Sequence, residues 1–359
     1  MLERTARMSP SLRAGGPVKS RLRTVVTWSS WLYLGLLVVS IAALRYVGED
    51  FWLTGVALYL PRVFFLAPCL VLLPFAFALR LPRVLAVQLV AALLVVFPLM
   101  GFVMPHPRAS ANGPQIRVMS YNVKHCHAGA EALTARIQHH APDVVLLQEV
   151  CDWRKGLIER LREEYPVVYS SDQFVLATHY PLGAVRDPGM FEVNGEEFHE
   201  RFARYELETP LGRVVFYNLH PLSPRYAFYA LRGMRVRTSL REGKLWRGGY
   251  AEDAVHENFT VRERTLQTAL DLAARDTLPR VLAGDTNLVG LSPMLQRHFA
   301  PYRDGFESAG WGFGYTFPSL APWMRLDRIF ASTDLRFVSF QTGCAQDSDH
   351  HCVVAQIER

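Results

Sequence analysis

Val281–Asn287 reads VLAGDTN, a short apolar run that stops at a glycine and hands over to two polar side chains, Asp285 and Asn287. Bounded upstream by Pro279, such a run predicts a buried strand. A carboxylate and an amide at its carboxyl end stand where an α/β sheet places its ligands. The same pattern recurs in both directions. SYNV puts Asn122 after a strand Ile116–Tyr121, and VVLLQEV puts Glu149 after Asp143–Leu147. FYNLHP puts His220 after Val214–Asn218, RLDRIF carries Asp327 within Arg325–Phe330, and DSDHH sets Asp349 and His350 before Cys352–Ile357. Phe174–Ala177 and Leu335–Phe340 read as further strands, and Glu131–His140, Arg154–Glu164 and Phe259–Ala274 as helices. Strands interleaved with helices predict an α/β sandwich. No internal repeat is visible.

Each polar residue has an ordinary explanation by itself. A carboxylate after a strand is commonly a turn or cap residue, and a lone histidine at a strand end is commonly solvated. Six such strand ends in one region exceed what turn chemistry accounts for.

The chain before this region is different in kind. Of 359 residues, 1–108 carry eleven Lys/Arg against three Asp/Glu, while 109–359 carry 28 against 30, a net of −2. Mean hydropathy is +0.07, and the apolar excess lies in the first 104 residues. This excludes a disordered chain, a disulfide-stapled miniprotein and a pure transport bundle. Thr24–Leu44, Val63–Leu79 and Val84–Pro107 are uncharged runs of 21, 17 and 24 residues. About 20 residues of helix cross a bilayer, so three transmembrane helices are expected. The second run is the short one and contains Pro68 and Pro74, with Pro61 just before it. The first run is too long for the apolar core of a cleaved signal, and no small-residue cleavage site follows it. Arg4, Arg7, Arg13, Lys19, Arg21 and Arg23, with Arg80 and Arg83 in the turn between the second and third runs, put those segments in the cytoplasm. Three crossings then leave the large domain extracytoplasmic; two would leave it cytoplasmic. The expected organisation is a basic segment 1–23, a membrane region 24–104, a linker 105–114 and a catalytic domain 115–359. Cys126, Cys151, Cys344 and Cys352 allow three pairings, and spacing does not choose among them.

The ordered series SYNV, LLQEV, NLH, GDTN, LDRIF and SDHH resembles the endonuclease/exonuclease/phosphatase superfamily, which includes DNase I, exonuclease III-type repair nucleases, inositol polyphosphate 5-phosphatases and neutral sphingomyelinases. GYTF around Tyr315–Phe317, and Arg264 with Gln267, also look like family features. The resemblance implies a four-layer sandwich of two packed mixed β-sheets flanked by helices. It implies a hydrolase of phosphoester or phosphoanhydride bonds that uses Mg²⁺, or Mn²⁺ in its place. On this resemblance Glu149, Asn122 and Asp349 are the metal side, and Asp285 activates the attacking water. Asn287, His220 and His350 hold the phosphate, His350 being oriented by Asp327. Thr286 replaces a commoner phenylalanine and Cys352 a commoner proline. Lys124 and His125 follow Asn122 where the exonuclease III type carries an acid, and His220 replaces its tyrosine.

The whole layout also resembles a membrane-anchored subgroup that includes the VanJ-type teicoplanin-resistance protein, associated with undecaprenyl pyrophosphate turnover. That implies a phosphorylated membrane lipid as substrate. The alternative is a membrane-tethered DNase I-like nuclease acting on nucleic acid, for which a domain net charge of −2 is a poor start. Arg225–Arg247, rich in Arg, Lys, Tyr, Phe and Trp, fits either an anionic headgroup surface or a nucleic-acid backbone, and equally a solvated helix or loop.

Overall fold

A computed structural model describes residues 17–104, 113–151, 156–193, 195–232, 250–344 and 346–359. Most of the 1–23 basic segment, most of the linker and the Arg235–Arg247 part of the basic and aromatic stretch lie outside these. The chain forms two units, Met1–Ile41 with Val63–Pro98, and Ala42–Arg62 with Leu99–Arg359.

The first unit is helical. Two helices, Val18–Tyr46 and Pro82–Leu99, are long and apolar enough to cross a membrane, and Arg62–Ala78 is an apolar segment of shorter length. Pro74 sits inside helix Ala67–Ala78, and Pro98 in the π turn Val95–Leu99 that ends the last helix. Trp28, Leu32, Leu70, Phe77 and Leu89 are all more than 60% exposed.

The second unit holds two six-stranded sheets. The first runs β13 (Arg336–Gly343), β14 (Cys352–Glu358), β1 (Gln115–Asn122), β2 (Val144–Gln148), β4 (Phe174–Thr178) and β3 (Val167–Ser171). The second runs β11 (Arg303–Asp304), β12 (Asp327–Ala331), β10 (Arg280–Asp285), β9 (Gly212–Leu219), β8 (Phe202–Thr209) and β5 (Leu182–Arg186). A separate hairpin joins β6 (Met190–Val193) to β7 (Glu196–His199). Each sheet contains one parallel pair, β1 with β2 and β9 with β10, flanked by antiparallel neighbours. Ile116, Val144, Leu146, Phe174, Phe216, Val281 and Ile329 are among the fully buried residues packed between the sheets. Helices Ala130–His140 and Leu157–Glu164 cover the outer face of the first sheet, and Tyr250–Arg275 and Pro293–Phe299 that of the second. Two mixed sheets flanked by helices are the DNase I-like arrangement that the sequence led us to expect.

The segment 42–62, which hydropathy assigns to the membrane region, packs into this second unit. Trp52 lies in the same buried cluster as Val255, Phe259 and Met294. Gly48 adopts φ +43, and a Cβ there would come within 2.2 Å of Pro293 Cδ, so only glycine fits that approach. The buried Glu49 carboxyl, pushed up in pKa by burial, accepts the Ser292 hydroxyl. Arg62 donates to the Leu99 carbonyl at 3.1 Å, clasping the point where the chain departs into 63–98 to the point where it returns. Cys344 and Cys352 form a disulfide around the loop that carries Asp349 and His350.

Candidate active site

Parallel neighbours end at the same edge of a sheet, so β1 and β2 deliver Asn122 and Glu149 together, and β9 and β10 deliver His220 and Asp285 together. Gly284 (φ +151) lets β10 approach β9 closely just before Asp285; a Cβ there would lie 1.9 Å from the Leu219 carbonyl oxygen. The two edges meet in four cross-sheet contacts. Asn122 Nδ2 donates to Asp285 Oδ2 at 3.2 Å and to Glu149 Oε1 at 3.1 Å. His220 Nε2 is 3.4 Å from Glu149 Oε1 and 3.7 Å from Asp285 Oδ2. His350 Nδ1 pairs with Asp327 Oδ2 at 2.8 Å, and its Nε2 lies 3.5 Å from Asp285 Oδ2. Below this layer the buried Gln148 amide donates to Asn218 Oδ1 at 2.7 Å, and Asn218 donates to the Leu147 carbonyl, pinning the sheets under the site.

Electrostatics separate the two carboxylates. Burial raises the pKa of Asp285, which is 2% exposed, against the opposing charges of His350 and His220. Glu149 is opposed by burial too, but hydrogen bonds and charge from His220, with the Asn122 bond, hold it down at about 2. His350 is buried, which disfavours its cation, yet Asp327 and Asp285 win and hold it at about 10. It is therefore an imidazolium whose Nδ1–H is fixed on Asp327 and whose Nε2–H points to Asp285.

Several supporting residues were not legible as such in the sequence. Gln173 meets His220 Nδ1. Lys124, His125 and Cys126 form a left-handed turn, with φ of 46°, 53° and 55°. That turn sets Lys124 Nζ 3.3 Å from Asp349 and His125 Nε2 3.5 Å from Glu149. Thr286 donates to the Leu326 carbonyl at 2.7 Å, a use for the hydroxyl that replaces a phenylalanine ring. Asn287, in the left-handed region at φ 52°, donates to the Pro221 carbonyl. Its own carbonyl accepts the Tyr59 hydroxyl at 2.8 Å. The fully buried Arg262 bonds Tyr59 Oη, the Leu222 carbonyl and Asn258, so it ties the His220 loop to the Asp285 loop. Arg264 and Gln267, singled out from the sequence, instead lie on the exposed face of helix Tyr250–Arg275. The helix period gives Arg262 away only once the register of the buried face is known.

Two cavities meet at this seam, sharing Glu149, Ser223 and Arg225. The first, about 300 Å³, is polar, with His125, His199, His220 and Arg201 in its wall beside Glu149 and Asp172. The second, about 400 Å³, is lined by Asp285, Asn287, Asp349 and His350 together with Tyr59, Phe228, Phe317, Trp323 and Met324. All eight residues expected from the sequence gather here: six through the contacts above, Asn287 and Asp349 in the wall of the second cavity.

The donor set suits a hard divalent cation on the Glu149 side. Glu149, Asp349 and Asp285 line one cavity and offer carboxylate oxygen, with Asn122 beside them. Three like charges around one space are costly without a cation. Asp285, Asp327 and His350 also lie within 4.8 Å of one another. In that trio Asp327 is taken up by His350 Nδ1 at 2.8 Å.

Residues 119–350 match the Endonuclease/Exonuclease/phosphatase family. The chain belongs to that family. Its members hydrolyse phosphoester bonds. A crystal structure of TDP2 from Caenorhabditis elegans is 18% identical, covers 70% of this chain and 77% of its own, and gives a TM-score of 0.50. An endonuclease/exonuclease/phosphatase protein from Beutenbergia cavernae is 20% identical over 68% of this chain and 71% of its own, with a TM-score of 0.49. At such identity the likeness to the first shows the fold alone. No curated protein matches the chain.

Proposed function

We propose that this family member is a membrane-anchored, Mg²⁺-dependent phosphoesterase acting outside the cytoplasm on a phosphorylated membrane lipid, of which an undecaprenyl pyrophosphate-like molecule is the type. The observation that carries the reading is the pair of cavities at the catalytic seam, one mostly polar with charges of both signs and one largely apolar. A substrate with phosphate between an ionic part and a hydrocarbon part matches both.

Asp285 accepts the proton of the attacking water; its burial keeps its proton affinity high enough for that task. His350 donates Nε2–H to a phosphoryl oxygen, and Asp327 fixes the ring for it. His220 Nε2, 3.4 Å from Glu149 Oε1, faces the same space and contacts the phosphoryl group or the leaving oxygen. Asn287 holds a second phosphoryl oxygen. Glu149, Asn122 and Asp349 hold the cation, which when bound stabilises the charge that grows on the phosphoryl oxygens. Lys124 and His125 stand on two of these carboxylates, which favours one metal over two.

Three observations support the anchoring. The Arg62–Leu99 clasp means that 63–98 starts and ends on one side of whatever it enters. Helix Pro17–Tyr46 then makes one crossing and 63–98 a return pair, giving three, with the basic N-terminus and Arg80–Arg83 inside. The Cys344–Cys352 disulfide suits an oxidising compartment.

The test uses full-length protein in detergent with Mg²⁺, given undecaprenyl pyrophosphate and supercoiled plasmid in parallel, with Asp285→Ala as control. Phosphate release that the substitution abolishes, without nicking, supports the proposal. Nicking that the substitution abolishes, without phosphate release, replaces it with a tethered nuclease.

A further inference from the structure

The apolar half of the second cavity has no role in the chemistry just described. Tyr59, Phe228, Phe317, Trp323 and Met324 line the same cavity as Asp285, Asn287, Asp349 and His350. The Tyr59 and Phe228 rings meet edge to face at 5.5 Å, and Phe317 stacks obliquely on His350 at 4.7 Å. The polar atoms of this wall are already taken. Tyr59 Oη donates to the Asn287 carbonyl and accepts from Arg262, while Trp323 Nε1 donates to the Tyr59 carbonyl at 3.2 Å. The wall therefore presents carbon and leaves no donor or acceptor for a base edge or a sugar hydroxyl. A base edge or sugar hydroxyl set against it would lose water without gaining a hydrogen-bond partner.

The rim is apolar as well. The 311–324 stretch that carries Phe317 and Trp323 is tied to both ends of the membrane excursion. Tyr315 donates to the Met100 carbonyl, Gly312 bridges to Val103, and Trp323 bonds Tyr59, three residues before Arg62. The same stretch exposes Leu320 at 96% and Trp311 at 70%. Exposed tryptophan and leucine beside the roots of apolar helices belong at a lipid interface.

We infer that this wall is the binding site for the hydrocarbon chain of the substrate, immediately next to its phosphate, and that the inter-helix residue Tyr59 forms part of it. The inference rests on the phosphoesterase reading and adds which side chains hold the hydrocarbon part of its substrate. Chain carbons displace water from carbon here, and each buried methylene raises affinity about fourfold.

The test measures binding of methyl, butyl and octyl phosphate, and of thymidine 5′-phosphate, to full-length protein in phosphatidylcholine nanodiscs, with empty nanodiscs subtracted. Octyl phosphate is expected to bind at least tenfold more tightly than methyl phosphate. Phe228→Ala should flatten that chain-length dependence, and Phe228→Leu should restore most of it. The slope is the readout, so a general loss of folded protein does not imitate the result. Equal affinity along the alkyl series, with methyl phosphate bound, overturns the chain site and leaves the phosphoesterase reading standing. So does a slope unchanged in Phe228→Ala, or thymidine 5′-phosphate binding more tightly than octyl phosphate. If no phosphate compound binds, the catalytic reading and this inference fall together.

Discussion

The two sheets carry the same strand arrangement twice, yet they do opposite things at the seam. In each, one parallel pair flanked by antiparallel strands presents two polar residues at a shared edge. Asn122 on β1 faces Asp285 on β10, Glu149 after β2 faces His220 after β9, and His350 before β14 faces Asp327 at the start of β12. Like positions meet unlike chemistry. The first sheet brings a carboxylate held strongly acidic by its donors, and the second brings one held weakly acidic by burial. A duplicated scaffold thus supplies geometry, and the residue types at its edges supply the division of labour between a permanent anion and a proton acceptor.

This comparison breaks first if the carboxylates are interchangeable. Asp285→Asn should lower kcat by roughly 10³-fold at every Mg²⁺ concentration. Glu149→Gln should instead raise the Mg²⁺ needed for half-maximal rate by roughly 10–100-fold; steady-state kinetics over a Mg²⁺ series separate the two. Next, Asp327→Asn should lower kcat about 10²-fold, and combining it with His350→Gln should add little, because both act through one imidazolium. Chelation with EDTA should remove activity, and Mg²⁺ or Mn²⁺ should restore it. Stability should move in opposite senses in metal-free protein. A depressed carboxylate pKa such as that of Glu149 contributes stability above its unfolded value of 4.5, which is lost as pH falls toward about 2. The raised pKa of Asp285 means its charge costs stability at neutral pH, and that cost fades as pH falls through it. Thermal melts at pH 7 should therefore show Asp285→Asn more stable and Glu149→Gln less stable than wild type. The smallest effect is expected under the site, where Gln148→Ala should cost about 1–3 kcal/mol by leaving Asn218 unpaired.

The strands that reach the seam were legible because each is an apolar run with a polar stop, as in VLAGDTN and VVLLQEV. β8, FARYELET, was not anticipated, because Arg204, Glu206 and Glu208 alternate with its buried residues and dilute the apolar signal. β3, β5, β6, β7 and β11 were missed as well; they are short, lie at sheet edges or stand apart, and keep exposed positions that carry no apolar run. The duplication was invisible because it lies in strand order rather than in residue identity. The side chains that touch the reacting centre could be named from spacing and resemblance, but Gln173, Arg262 and Tyr59 act through contacts between distant segments. Residues 42–62 mark the sharpest limit. Hydropathy registers that Trp52, Leu58 and Tyr59 avoid water, and it does not distinguish burial in lipid from burial in protein.

The clasp between Arg62 and Leu99 makes the stretch 63–98 an insertion with a single root. Replacing it with a few glycines is expected to leave the 42–62 buttress in place, while removing the partners that helix Pro17–Tyr46 has in the first unit. Cutting instead before Leu99, at the obvious domain boundary, would strip the catalytic unit of the side chains that brace Asn287.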